Sequence, residues 1–283
     1  MTREILVIGS VNHDRVWQLA APLVPGARLD WCSRRMTLGG GGLNTGMRLL
    51  SLGRPVALVT QVAEDRRGTA TRAFLARAGF GMDGVATVPG PARITEILLG
   101  ADGERTILFP PGARPPLEAR PGPACAAYVN ARRLGPGLRA ALGRVALVMT
   151  QLPPGAADAR PADIAITSRA DFPGSAPRDL LAQARRLCGP RLRLLVLTDG
   201  ARPVTLLGSG PEAEEVSVPP GPRVRVANAT GAGDSFAAAF LHATLDGAAP
   251  AGAAAEACRL TALWLEDRPP LALPADAAPR PGA

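Results

Sequence analysis

Short apolar runs alternate along the chain with longer stretches whose apolar positions recur at helical spacing, the pattern of a mainly parallel sheet covered by helices. The runs Ile5–Ile8, Val56–Val62, Val145–Thr150, Ile164–Thr167 and Leu194–Thr198 predict core strands. Leu43–Leu52, Thr69–Ala78 and Arg178–Leu187 predict helices, the first two closed by Gly53 and Gly79 as left-handed C-caps. Two more helices are expected over Gly233–Leu245 and Ala251–Leu265, the former with Phe236, Phe240 and Leu241 on one face.

Two stretches interrupt this alternation. Arg15–Met36 and Ile94–Phe109, the latter with Asp102-Gly103 as a hairpin turn, predict a small separate sheet. Pro110–Pro136, rich in Pro, Gly and Ala, reads as an irregular connection, and Pro269–Ala283 as a loosely ordered tail. Neither an internal repeat nor a second-domain boundary is visible, so a single α/β domain spanning 1–283 is expected.

Composition narrows the function classes. With 283 residues, 47% hydrophobic and 20% charged, the chain is globular and long enough for a substantial core. No apolar run approaches the roughly 18 residues that cross a bilayer. Ile5–Ile8 is also too short for a signal peptide, and a cytoplasmic protein without membrane partners is expected. Cys32, Cys125, Cys188 and Cys258 are too scattered for a zinc clip or a disulfide framework and read as free thiols. The net charge of +8 comes from arginine alone, spread along a chain with 4% aromatics. That distribution argues against nucleic acid and suits small phosphorylated or acidic molecules.

Three segments could carry chemistry. Asn228-Ala229-Thr230-Gly231-Ala232-Gly233-Asp234 follows the strand-like Val224–Val226 and opens a helix. Small residues admit a ligand close to the backbone, and the N–H groups of Gly231, Ala232 and Gly233 at a helix start form an anion hole. Asp234 beside it can take the proton from an attacking hydroxyl, although judged alone the segment reads equally as an ordinary helix start whose Asp favours the dipole. Gly39-Gly40-Gly41-Gly42-Leu43-Asn44 is a second glycine turn entering a helix; it is neither a Walker loop nor a dinucleotide fingerprint, and by itself only a tight turn. Asn44 is suited to sugar hydroxyls. Gly9–Asp14 leaves the first strand at its C-terminal end, where open parallel sheets bind ligands, and Asp14 can accept two hydroxyl hydrogen bonds.

These segments, in this order, resemble the ribokinase family of carbohydrate kinases, also called the phosphofructokinase-B family. The two signatures are Gly39–Asn44 before a helix ending at Leu52-Gly53, and Thr230–Asp234. Weaker matches are Gly9–Asp14, Val62–Gly68, Gly103–Thr106 and Leu197–Gly200. The resemblance implies a doubly wound sheet with a small β lid, and an enzyme that uses ATP and Mg2+ to phosphorylate a hydroxymethyl group of a sugar or nucleoside. Asp234 would be the base; Asn12, Asp14, Gly39, Gly40 and Asn44 would hold the sugar; Thr198, Asp199 and Gly200 would lie near the nucleotide. Lid strands from 15–36 and 94–109 could also form a homodimer interface, with Trp17 and Trp31 as packing or stacking residues.

Departures from the family pattern accompany these matches. Asn228-Ala229 replaces Asp-Thr, so Asn228 offers an oxygen but no charge to an activating monovalent cation. Where Asn-x-x-Glu places magnesium-bound phosphates, the chain reads Ser168-Arg169-Ala170-Asp171-Phe172, leaving Asp171 in a shifted register or the element lost. Pro153 falls near a substrate-facing acid of some members, and Gly41 replaces a lysine, as a lysine-free composition would. The alternatives are a sugar-binding or regulatory relative that no longer transfers phosphate, and a nucleoside kinase.

Overall fold

The computed structural model describes residues 4–112, 115–210, 214–226 and 229–267. Its main sheet is built from β1 (Ile5–Ile8), β4 (Val56–Ala63), β5 (Val85–Val88), β8 (Ala126–Val129), β9 (Leu147–Gln151), β10 (Ile164–Ser168), β11 (Leu194–Asp199), β12 (Arg202–Gly208) and β13 (Glu215–Val218). The order is β13-β12-β11-β10-β9-β8-β1-β4-β5. Every neighbouring pair is parallel except β11 with β12 and β12 with β13. The smaller sheet, in the order β3-β2-β6-β7, contains β2 (Asn12–Leu19), β3 (Trp31–Gly39), β6 (Ile94–Leu99) and β7 (Arg105–Leu108).

Strand β1 lies inside the main sheet and is buried on both faces, which is why it reads as an unbroken apolar run. Its Ile5 and Val7 pack with α1 (Gly41–Ser51), α2 (Arg66–Arg77), α5 (Ala232–Leu245) and α6 (Pro250–Glu266), while Leu6 and Ile8 face α3 (Pro136–Leu142) and α4 (Pro177–Cys188). Helices thus cover both faces, and the doubly wound α/β reading holds. Gly53 (φ 77°) and Gly79 (φ 90°) do follow their helices in the left-handed region.

Three expectations need correction. The connection Pro110–Pro136 contains β8, wholly buried between β1 and β9; its Ala126-Ala127-Tyr128-Val129 is poor in branched residues, and flanking prolines hid it. Val224–Val226 forms no strand. The lid strands reach farther than 15–36: β2 begins at Asn12 and β3 ends at Gly39, so residues expected to hold a sugar sit on the lid itself. The Asp102-Gly103 hairpin forms, with Gly100 N–H donating to the Glu104 carbonyl at 2.8 Å. The expected tail 269–283 lies outside the described residues.

Candidate active site

Helices α1 and α5 pack against each other and bring the two signatures together. Asn44, in the first turn of α1, donates from Nδ2 to Asp234 Oδ2 in the first turn of α5 at 2.9 Å, across 190 residues of sequence. Gly231 caps α5 in the left-handed region, at φ 82°, with no side-chain cap. A Cβ there would come within 3.3 Å of the Trp264 ring and 3.5 Å of Asn44 Nδ2, so glycine is required by conformation and by space. Among the described residues nothing lies within 4 Å of a Cβ built on Gly233, so none of them fills the space at that point of α5. The helix dipole and acidic first turn place Asp234 beside a region favourable to anions.

Asp14, 7% exposed, lies against the backbone of Gly39, where an added Cβ would meet its Oδ2 at 1.9 Å. Asn12 pairs with Gly39 in the β2–β3 ladder, which puts Asn12, Asp14, Gly39 and the Gly40 N-cap of α1 in one corner. Asn44 then links this corner to Asp234.

The remaining expected residues sit at the ends of β10 and β11. Thr198 Oγ1 donates to the Thr167 carbonyl at 3.2 Å, and Gly200 makes the turn into β12 at φ 60°. Asp199 accepts two hydrogen bonds from Arg202, at 2.7 and 2.6 Å, and Arg169 stands 4.0 Å away. The Arg202 hydrogen bonds, against a small opposing effect of burial, hold its carboxyl below the ordinary value. Asp171 ends a 3-10 turn, Arg169–Asp171, capped by Ser168. Burial raises its carboxyl, opposed by Arg105 of the lid. Asn228 lies outside the described residues.

Three residues here carried no signal in the sequence. Asn130, just past β8, fills the space beside Gly41, where a Cβ would come within 2.2 Å of its carboxamide. A side chain at Gly41 would have to displace the Asn130 carboxamide. Asn130 thus borders this glycine turn. Tyr128 is completely buried beneath it, its hydroxyl 3.4 Å from Gln151 Oε1. Burial and then the charge of Asp234 push its phenol far up, so it stays protonated. Trp264, on α6, abuts Gly231.

Residues 162–269 match the model of the pfkB family carbohydrate kinases. The C-terminal part of the chain is therefore similar to the pfkB family of carbohydrate kinases. No curated protein matches the chain. Among solved structures, the chain resembles a ribokinase from Thermotoga maritima (18% identity, covering 98% of this chain and 96% of that one, TM-score 0.69). A ribokinase from Arabidopsis thaliana complexed with ribose and ATP is 19% identical over 96% of this chain and 95% of that one, at TM-score 0.70. A nucleoside kinase from Burkholderia thailandensis in complex with inosine is 17% identical over 95% and 92%, at TM-score 0.71. At these identities the neighbours establish the fold, including the small sheet as a lid. Among the described residues no helix is long and apolar enough to cross a membrane.

Proposed function

We propose that this carbohydrate kinase transfers the γ-phosphoryl group of MgATP to a hydroxymethyl group of a sugar-like alcohol bound between the lid and the C-terminal edge of the sheet. One observation carries the reading: the Asn44–Asp234 hydrogen bond, which sets a carboxylate at the start of α5 next to the corner of Asn12, Asp14 and Gly39.

In this reading Asp14 and Asn12 orient the acceptor. Asn44 holds Asp234 in one rotamer, and the Asp234 carboxylate takes the proton as the hydroxyl oxygen attacks phosphorus. The backbone at Gly231 and Gly233 stabilises charge on the transferring group, the Ala232 N–H of the expected anion hole being donated to the Ala229 carbonyl at 3.0 Å, and ADP departs. Thr198, Asp199 and Gly200 border the nucleotide. MgATP is a substrate; Asp171 is the candidate to help place its metal-bound phosphates, and Asn228 the candidate for a monovalent cation.

The test is phosphate transfer from MgATP across sugars, sugar phosphates and nucleosides, with and without potassium, using Asp234→Asn as the blank. Transfer to one acceptor that vanishes in the variant supports the reading. Binding of an acceptor without transfer would favour a regulatory relative, a reading supported by the Arg-bearing 3-10 turn at 169–171 in place of an Asn-x-x-Glu element. A nucleoside as preferred acceptor would move the substrate class without changing the chemistry.

The lid also supports a homodimer. Leu108 and Phe109 at its outer strand are 52% and 70% exposed, and Trp31 is 54% exposed. Sedimentation should give twice the monomer mass, and charged replacements at Leu108 and Phe109 should return it to one.

A further inference from the structure

The segment Val62–Gly68 has no part in the chemistry above, yet it occupies the junction between main sheet and lid. Strand β4 ends at Ala63, and Asp65 caps α2 by accepting the Gly68 N–H on Oδ1 at 2.7 Å. Its other oxygen, Oδ2, accepts the N–H of Ala92 at 2.8 Å, 27 residues away and just before β6. Partial burial pushes this carboxyl up, but the Ala92 and Gly68 donors, with the His13 and Arg67 charges, hold it below its ordinary value. It is therefore a carboxylate with both oxygens engaged at neutral pH.

One turn further along α2, Thr71 Oγ1 lies 3.1 Å from Nε2 of His13. That imidazole is 6% exposed and sits on β2 between Asn12 and Asp14. Strands β2 and β6 are the parallel pair at the centre of the lid, with His13 opposite Ile94. One helix thus grips both central lid strands at their roots. The helix is itself seated on the main sheet, because a Cβ at Gly68 would come within 1.8 Å of the Ala63 carbonyl oxygen. Whatever tilts α2 tilts β2, and Asn12 and Asp14 ride on that strand.

We infer that Asp65 and His13 are positioning residues that brace the lid against α2 and thereby set where Asp14 meets the acceptor. The inference rests on the assignment of Asp14 to acceptor binding. A helix cap alone would explain the Gly68 contact but neither the Ala92 contact nor the His13–Thr71 contact.

Asp65→Asn separates the two roles. Asparagine caps helices as well as aspartate does, but with one oxygen it can serve Gly68 or Ala92 and not both. Thr71→Val removes the His13 contact without touching the cap, and guards against misfolding of the first variant. Amide hydrogen exchange on the free protein should quicken roughly tenfold over 12–19 and 94–99 in each variant, with 164–168 unchanged. In kinetics each should raise the acceptor KM roughly tenfold while leaving the KM for ATP within about twofold. Asp14→Ala is the control. Unchanged lid exchange in both variants overturns the brace. Faster exchange with an unchanged acceptor KM, while Asp14→Ala still raises it, overturns the positioning role and leaves the assigned function standing. An acceptor KM that none of the three variants moves overturns the inference together with the assignment of Asp14.

Discussion

Helices α1 and α5 both begin at a glycine-rich turn, yet the two turns are built for different ends. At α1 the space is full: Asn130 abuts Gly41, Gly9 abuts Gly42, and Ser10 abuts Gly40. The Ser10 carbonyl accepts from Gly42 and Leu43 at 3.0 and 3.3 Å, so the protein satisfies that helix start itself. At α5 the Ala232 N–H is donated to the Ala229 carbonyl at 3.0 Å, but no described residue lies within 4 Å of a Cβ built on Gly233, and Asp234 stands in the first turn. Glycine at α1 lets backbones close on one another, whereas glycine at α5 lets a ligand close on the backbone. The same residue pattern thus marks a packing joint in one place and, in the proposed function, a reaction site in the other.

The largest effect should come from the α5 side. Asp234→Asn is expected to lower kcat by about 100-fold to 10,000-fold with an unchanged melting temperature, checked by steady-state transfer and calorimetry. A loss of stability in place of activity would make α5 a packing joint too.

Alanine at the two glycine positions then divides the turns. Gly41→Ala drives a methyl into Asn130 and should cost about 1–3 kcal/mol in denaturant melts, with partial recovery in the Asn130→Ala background. Gly233→Ala meets no described neighbour and should keep the fold while weakening transfer.

The smallest effect concerns the far end of α5. Arg54 Nε donates to His242 Nδ1 at 3.0 Å, and Asp246 lies 3.3 Å from Nε2. Burial, then the Arg54 charge, lowers the pKa of His242 below its ordinary value, so the unfolded chain takes up this proton first. Stability should therefore decline as pH falls below about 6.5. His242→Gln should flatten that part of a melting-temperature profile while leaving Asp234 in place.

Sequence pattern revealed the sheet where strands were long or purely apolar, as at β1, β10 and β11. It failed at β8 because four small or aromatic residues between prolines carry no alternation, although this strand lies in the middle of the sheet. The consequence reached the site, since Asn130 and Tyr128 came from that same segment. Asp234 and Asn44 were visible because each follows a glycine turn into a helix. Their pairing was not, since a contact across 190 residues leaves no local trace. Asp65 was legible only as part of a motif; its grip on Ala92 depends on how a distant loop returns.

The Asn44–Asp234 bond also orders events during synthesis. One partner is made early and the other near the end, and most of the sheet can pair while the chain still lacks α5. Such long-range closure is slow compared with local folding. A nascent or truncated chain ending before residue 234 therefore carries the corner of Asn12, Asp14 and Gly39 without Asp234, and on the proposed function phosphoryl transfer is the last property the polypeptide acquires.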